Sequence, residues 1–74
     1  MKEEFEKIGY KLIGFFVGNA SFEIEFANKK CDIILLTNKG VFKTDRQYKP
    51  LELTEDEEAL AFSLQLSMIE KMGE

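Results

Sequence analysis

Histidine and tryptophan are missing from this chain of 74 residues, and cysteine and proline occur only once each. Without histidine there is no Ser-His or Cys-His nucleophile pair. A single thiol excludes an internal disulfide and leaves no ligand set for zinc. Phosphate-binding loops, dinucleotide fingerprints and nucleophile elbows are also missing. We therefore expect no catalytic residue, no metal and no cofactor, and we predict that the protein is not an enzyme.

Long apolar runs are also missing. No run reaches the roughly 18 to 20 residues that span a bilayer, and the charged start at Lys2, Glu3 and Glu4 lacks the apolar segment of a signal peptide. The sequence therefore predicts a cytoplasmic protein without a membrane partner. Seven phenylalanines argue against disorder. Residues 1–74 are predicted to form a single domain, near the size at which oligomerisation often supplements a small core.

Charge is distributed unevenly along the chain. The net charge is −4, with an excess of basic residues between positions 28 and 49 and an excess of acidic residues from position 50 onward. A short acidic chain without catalytic residues suits a regulator or inhibitor of a larger, nucleic-acid-binding assembly. In size and charge, though in no motif, it resembles the small inhibitors encoded by phages and mobile elements.

The first residues have helical spacing. Phe5 and Ile8 lie three apart among charged residues, and Gly9 follows, which predicts a short helix that ends in a left-handed glycine cap. A charged first strand is the alternative interpretation of residues 2–8.

Residues 10–27 have the periodicity of two strands. An apolar run over residues 12–17 precedes the turn sequence Gly18-Asn19-Ala20. Simple alternation along this run puts Leu12 with Phe16 on one face, opposite Phe15. In residues 22–26 apolar and acidic residues alternate, so we expect one buried face and one solvated face, with Glu23 and Glu25 on the solvated one.

Two further strands are predicted between residues 31 and 44. Residues 33–36 are apolar on both faces of a strand, and Cys31 is expected to open that strand as a small buried residue. Asn38-Lys39-Gly40 predicts a hairpin loop with Gly40 at positive φ. The connections are too short for parallel crossovers, so the strands should form an antiparallel meander in the order 1-2-3-4.

A helix is predicted at the end of the chain. Thr54 and Glu57 form a capping box at its start, the first turn is acidic, and Gly73 is a natural stop. The predicted fold is therefore α+β: a four-stranded antiparallel β-meander packed against a C-terminal helix from about Glu55 to Met72, with a short N-terminal helix.

This C-terminal helix is apolar on two sides. Phe62, Leu66 and Ile69 form one stripe, and a second stripe lies roughly 160° away around the axis. A helix on one small sheet needs a single apolar stripe, so the surplus stripe or the uncovered sheet face predicts an interface with a second copy, most simply a two-fold homodimer, leaving the charged ends for another protein. The residues assigned to this partner surface are Leu60, Leu64, Ser67 and Met68.

A basic group provides the alternative functional hypothesis. The turn at residues 28–30 and the segment after the fourth strand should lie at one end of the sheet, where cations and an aromatic ring would suit a nucleotide or oligonucleotide. Solvated loop ends are the structural interpretation of the same residues. The candidate ligand contacts are Lys29, Lys30, Arg46, Tyr48 and Lys49.

Overall fold

The computed structural model describes residues 2–72, so the predicted helix stop at Gly73 lies outside the described residues. Its elements in chain order are α1 (Lys2–Lys7), β1 (Lys11–Val17), β2 (Phe22–Ala27), β3 (Ile33–Thr37), β4 (Gly40–Thr44) and α2 (Glu55–Met72). The four strands form one antiparallel sheet in the order β1-β2-β3-β4. These elements confirm the predicted α+β meander with a C-terminal helix and a short N-terminal helix.

The core lies between one face of the sheet, here called the inner face, and the two helices. Helix α1 packs on β1, while α2 packs on β3 and β4. The rings of Phe5 and Phe26 stack with their centroids 4.0 Å apart. The buried core side chains are Phe5, Tyr10, Phe22, Ile24, Phe26, Ile34, Leu36 and Ala61. The structure thus confirms the predicted alternation in β2, with Phe22, Ile24 and Phe26 on the buried inner face.

Helix α1 ends in the predicted glycine cap. Gly9 has φ +92°, its N–H donates to the Glu6 carbonyl at 3.1 Å, and the Tyr10 N–H donates to the Phe5 carbonyl at 2.9 Å. This pair of bonds is a Schellman motif, in which the residues on either side of the cap make an apolar contact. Tyr10 and Phe5 are both buried, so the cap directs the chain from α1 into the sheet.

A bulge in β1 corrects the predicted faces of that strand. Leu12 pairs with Phe26, but Gly14 pairs with Glu25, so one extra residue, Ile13, is inserted. Because an extra residue reverses the alternation beyond it, Phe15 comes to the inner face together with Leu12. Phe16 therefore lies on the opposite, outer face, and the prediction that it shares a face with Leu12 is wrong.

The turn between β2 and β3 is organised by Asn28. Its Oδ1 accepts the N–H groups of Lys30 and Asp32 at 3.0 and 2.9 Å, and its carbonyl accepts the Cys31 N–H at 3.0 Å. Cys31 has φ +68° and is exposed, and β3 begins at Ile33. The expectation of a buried Cys31 is wrong because the asparagine-capped turn extends as far as Asp32.

The hairpin between β3 and β4 has a two-residue loop. Thr37 pairs with Gly40, and the Thr37 Oγ1 accepts the N–H groups of Lys39 and Gly40. Gly40 is not at positive φ, which corrects that prediction. A Cβ at Gly40 would lie 3.2 Å from the ring of Phe42, so glycine makes room for an aromatic ring on the outer face.

The chain folds back beside β4 before α2 begins. The Asp45 N–H donates to the Lys49 carbonyl at 2.9 Å, which closes a turn over residues 45–49. Thr44 and Pro50 then form an antiparallel bridge, and the Leu51 N–H donates to the Lys43 carbonyl at 2.8 Å. This segment is therefore extended, and it covers the end of the β4 edge at Lys43 and Thr44.

Candidate functional site

The structure reverses the predicted orientation of the two apolar stripes of α2. Leu60, Leu64 and Met68 pack against the core, and Ser67 beside them is half-buried. These four residues were assigned to the partner surface, and the structure corrects that assignment because their stripe covers the chain's own sheet. The stripe left to solvent comprises Phe62, Leu66 and Ile69, which are 46%, 59% and 40% exposed.

Glu57 determines which stripe of α2 turns inward. Thr54 and Glu57 form the predicted capping box, since the Glu57 N–H donates to the Thr54 Oγ1 at 3.2 Å and the Thr54 N–H donates to the Glu57 Oε1 at 3.0 Å. The same carboxylate also accepts from Lys43 Nζ on β4 at 2.8 Å and from Tyr10 OH at 2.7 Å. Because Glu57 is fixed over the inner face, Ala61 and Leu64, four and seven residues on, are fixed there too.

The charge states of Glu57 and Tyr10 indicate that this network has a structural role. Partial burial raises the pKa of the Glu57 carboxyl, but the hydrogen bonds from Lys43, Thr54 and Tyr10 outweigh it, so the pKa lies below its ordinary value. Burial, reinforced by the bond to Glu57, raises the pKa of the Tyr10 phenol far above its usual range. At neutral pH the carboxylate stays charged and the phenol stays protonated. A carboxylate held in this way is a weak base, which does not suit proton transfer.

Two shallow clefts lie beside this network, at the end of the sheet where β2 finishes and β3 begins. The larger has a volume of about 530 Å³ and is lined by Lys2, Lys11 and Lys29 with Glu6 as its acidic residue. The smaller, of about 340 Å³, holds Lys29 and Lys30 together with Asp32, Lys43 and Glu57. Of the predicted ligand contacts, Lys29 and Lys30 therefore line clefts.

The other predicted ligand contacts lie in the self-contained turn after β4. The Asp45 Oδ1 accepts the N–H groups of Gln47 and Lys49 at 2.8 and 3.0 Å, and Tyr48 adopts φ +63° with 79% of its surface exposed. The register places this turn at the same end of the sheet as Lys29, because Thr44 pairs with Ile33. Arg46, Tyr48 and Lys49 do not line either cleft.

A continuous run of exposed apolar side chains lies along β1. In the described part of the chain no strand pairs with the second side of β1, and no charged residue occurs between Leu12 and Gly18. Four apolar side chains of this strand are 49–62% exposed: Ile13, Phe15, Phe16 and Val17. None of these residues was predicted to belong to a site, although a meander of order 1-2-3-4 makes the first strand an edge.

Backbone groups of β1 also point to this open side. The Gly18 N–H donates to the Ser21 carbonyl at 2.8 Å, so this pair is hydrogen-bonded and the pairs along the ladder alternate from there. Val17 opposite Phe22 and Phe15 opposite Ile24 fall at the non-bonded positions. The N–H and C=O groups of Phe15 and Val17 therefore point away from β2, toward the open edge.

Comparison of the chain with protein-family models, with curated proteins and with solved structures finds no match. Neither helix within residues 2–72 combines the length and the apolar character that crossing a bilayer requires. Within the same residues no group of three or more carboxylate or thiol side chains is placed to hold a metal ion.

Proposed function

We propose that this protein is a small, cytoplasmic protein-interaction module that self-associates through the edge of β1 and that, as a dimer, regulates or inhibits a larger assembly. The observation that carries the proposal is the open edge strand, with outward backbone groups at Phe15 and Val17 and exposed rings at Phe15 and Phe16. Such an edge is a template for pairing with another strand. A second copy of the chain brings the same template, so the contact is self-complementary.

Solvated apolar residues alone do not make an interface, since single exposed apolar side chains are common on protein surfaces. The case for β1 is that its apolar residues are consecutive, uncharged and joined to unpaired backbone groups. Proteins usually protect such an edge with lysine, proline or a covering segment. In β1 both Lys11 and the bulge at Ile13 lie in the first half of the strand, and they leave residues 15–17 available.

The outer stripe of α2, formed by Phe62, Leu66 and Ile69, supplies the surface for the regulated partner. Phe62 lines a shallow cleft of about 450 Å³ together with Glu55, Glu58 and Ala59, so apolar surface adjoins the acidic first turn. A partner with an apolar side chain flanked by lysine or arginine would match this surface in charge. Nucleic-acid-binding proteins carry such basic surfaces, which supports an inhibitory role toward a protein of that class.

The test of self-association is the mass of the protein in solution. Sedimentation equilibrium at micromolar concentration should give twice the 8.6 kDa mass of one chain, with dissociation on dilution. A mass of 8.6 kDa throughout the micromolar range would contradict the proposal.

A second candidate function is the binding of a small phosphorylated ligand, such as a nucleotide, in the larger cleft. The observation that favours it is the convergence of Lys2, Lys11 and Lys29 on one cleft against a single acidic residue. Titration with ADP should shift the amide resonances of Gly9 and Lys29. Lys29→Ala should abolish the shifts, and Lys39→Ala, at the opposite end of the sheet, should keep them. Absence of shifts, or loss with both variants, would reject this candidate.

A further inference from the structure

We infer that two copies pair antiparallel through β1 with the two-fold axis at Phe16, joining their sheets into one sheet of eight strands. This inference rests on the proposed self-association and adds its register. The register places Phe15 opposite Val17 of the second copy, Val17 opposite Phe15 of the second copy, and the two Phe16 residues opposite each other.

The outward backbone groups select this register. On each copy the N–H and C=O groups of Phe15 and Val17 point toward the open edge, as derived from the Gly18 to Ser21 bond. With the axis at Phe16, each Phe15 exchanges two hydrogen bonds with Val17 of the second copy, so four bonds form and both outward residues are used. An axis at Phe15 would place Val17 opposite Ile13, which is the extra residue of the bulge. An axis at Val17 would place Phe15 opposite Asn19 in the turn.

The side chains fit the same register. Phe15 and Val17 share the inner face, so an aromatic ring lies beside a β-branched side chain twice in the dimer. The two Phe16 rings meet on the outer face at a non-hydrogen-bonded pair, where opposed side chains come closest. Both kinds of cross-strand pair are favourable. Between Leu12 and Gly18 no ionisable side chain is brought into the seam.

Cysteine cross-linking tests the register directly. Each variant is made in the background Cys31→Asn, which removes the native thiol. Asparagine is chosen because Cys31 has φ +68° and asparagine tolerates that conformation. Phe16→Cys should form a disulfide-linked dimer under a glutathione redox buffer, since opposed Cα atoms lie within disulfide reach. Phe15→Cys alone and Val17→Cys alone should link poorly, and an equimolar mixture of those two variants should link well. Phe42→Cys, exposed on β4, is the matched control and should stay unlinked.

The outcomes separate the register from the proposed function. If the unmodified protein sediments as a dimer but Phe15→Cys links with itself better than Phe16→Cys does, the register is wrong and self-association stands. If the mass is that of one chain, both proposals fail. If Phe42→Cys links as well as Phe16→Cys, the seam does not lie at β1.

Amide hydrogen exchange provides a readout that needs no substitution. The N–H groups of Phe15 and Val17 are open in a single copy and enter a ladder in the dimer, so their exchange should slow by about tenfold or more as protein concentration rises through dimerisation. Concentration-independent exchange at both residues in a protein that sediments as a dimer would overturn the register.

Discussion

The sheet has two edges, and the chain builds them differently. At β4 the segment after the strand turns back, bridges Thr44 with Pro50 and donates the Leu51 N–H to the Lys43 carbonyl. Lys43 itself is a charge directed inward, paired with Glu57 at 2.8 Å. At β1 there is no covering segment among residues 2–72 and no charge between Leu12 and Gly18. Proline, an inward charge and a covering segment therefore protect one edge, while the other stays open.

The difference shows how a small chain can keep one edge available without aggregating through both. Two open edges would let copies add indefinitely on each side of the sheet, whereas one open edge pairs once and closes a two-fold dimer. The protected β4 edge therefore supports the interpretation of β1 as a specific contact. Substitutions and changes of pH test this contrast, taken here from the largest expected effect to the smallest.

The largest effect is expected from replacing Glu57, which pairs with Lys43, the inward charge of β4. Glu57→Ala leaves Lys43 and Tyr10 without their shared partner in a part-buried network, and the loss of several hydrogen bonds to one charged group should cost about 3 kcal/mol. A domain of this size has a similar total stability, so the variant should be largely unfolded by circular dichroism and urea titration. Glu58→Ala, an exposed neighbour in the same turn, should change stability by less than about 0.5 kcal/mol. A fully folded Glu57→Ala would show that the network is dispensable.

The stability of the fold should depend on pH through Glu57 and Tyr10. Since the pKa of Glu57 is lowered on folding, its contribution is present above the unfolded value of about 4.3 and is lost as the pH falls through the folded value. Since the pKa of Tyr10 is raised, stability also declines as the pH rises above about 10. Urea midpoints measured across this range should show both declines, and Tyr10→Phe should remove the alkaline one.

Dimer affinity should be insensitive to pH wherever the fold is intact, because the β1 seam contains no ionisable side chain. Analytical ultracentrifugation between pH 5 and pH 9, values chosen to lie inside the window in which Glu57 and Tyr10 keep their charge states, should give a constant dissociation constant. A strong dependence would place charged groups in the seam.

A smaller effect is expected at the turn that leads into β1. Gly9 has φ +92° and open space where a Cβ would lie, so Gly9→Ala introduces backbone strain without a clash and should cost about 1 to 2 kcal/mol. Gly14→Ala meets only ordinary contacts with Glu25 at 3.6 Å and should cost less. Dimer affinity of the folded Gly9→Ala protein should be unchanged. Equal urea midpoints for the two variants would contradict the role of the left-handed cap.

The smallest effect is expected on the outer stripe of α2. Leu66 is 59% exposed, so Leu66→Glu should alter stability by less than about 0.5 kcal/mol and should leave the dimer intact. The same substitution at Leu64, which packs against the core, should unfold the chain by burying a charge. Thermal melts and sedimentation distinguish the two, and loss of the dimer in a folded Leu66→Glu protein would move the interface from β1 to α2.

Local signals in the sequence were sufficient for most of the fold. The glycine cap at Gly9, the capping box at Thr54 and the alternation in β2 each depend on neighbours within a few residues, and the structure confirms them. Gly40 was different, because its requirement comes from the Phe42 ring above it rather than from its own φ.

The wrong predictions for α2 and β1 arose because two arrangements of each element were equally hydrophobic. Both stripes of α2 are apolar, so composition could not choose between Leu64 and Leu66. The choice depends on the ion pair between Glu57 and Lys43, which are distant in sequence. The available signal was Lys43 itself, because a charged residue on the same strand face as Val41 needs a partner of opposite charge. The β1 bulge is likewise set by pairing with β2, which reverses the alternation between Leu12 and Phe15.

The most direct test of the open edge uses the same substitution on the two edges. Phe16 is 58% exposed on β1 and Phe42 is 53% exposed on β4, so lysine at either position should leave the fold intact. Phe16→Lys would set two like charges directly opposite each other in the seam. In sedimentation equilibrium at micromolar concentration Phe16→Lys should give the mass of one chain, and Phe42→Lys should give twice that mass, as the unmodified protein does. Equal masses for the two variants, or dissociation by Phe42→Lys alone, would contradict the account.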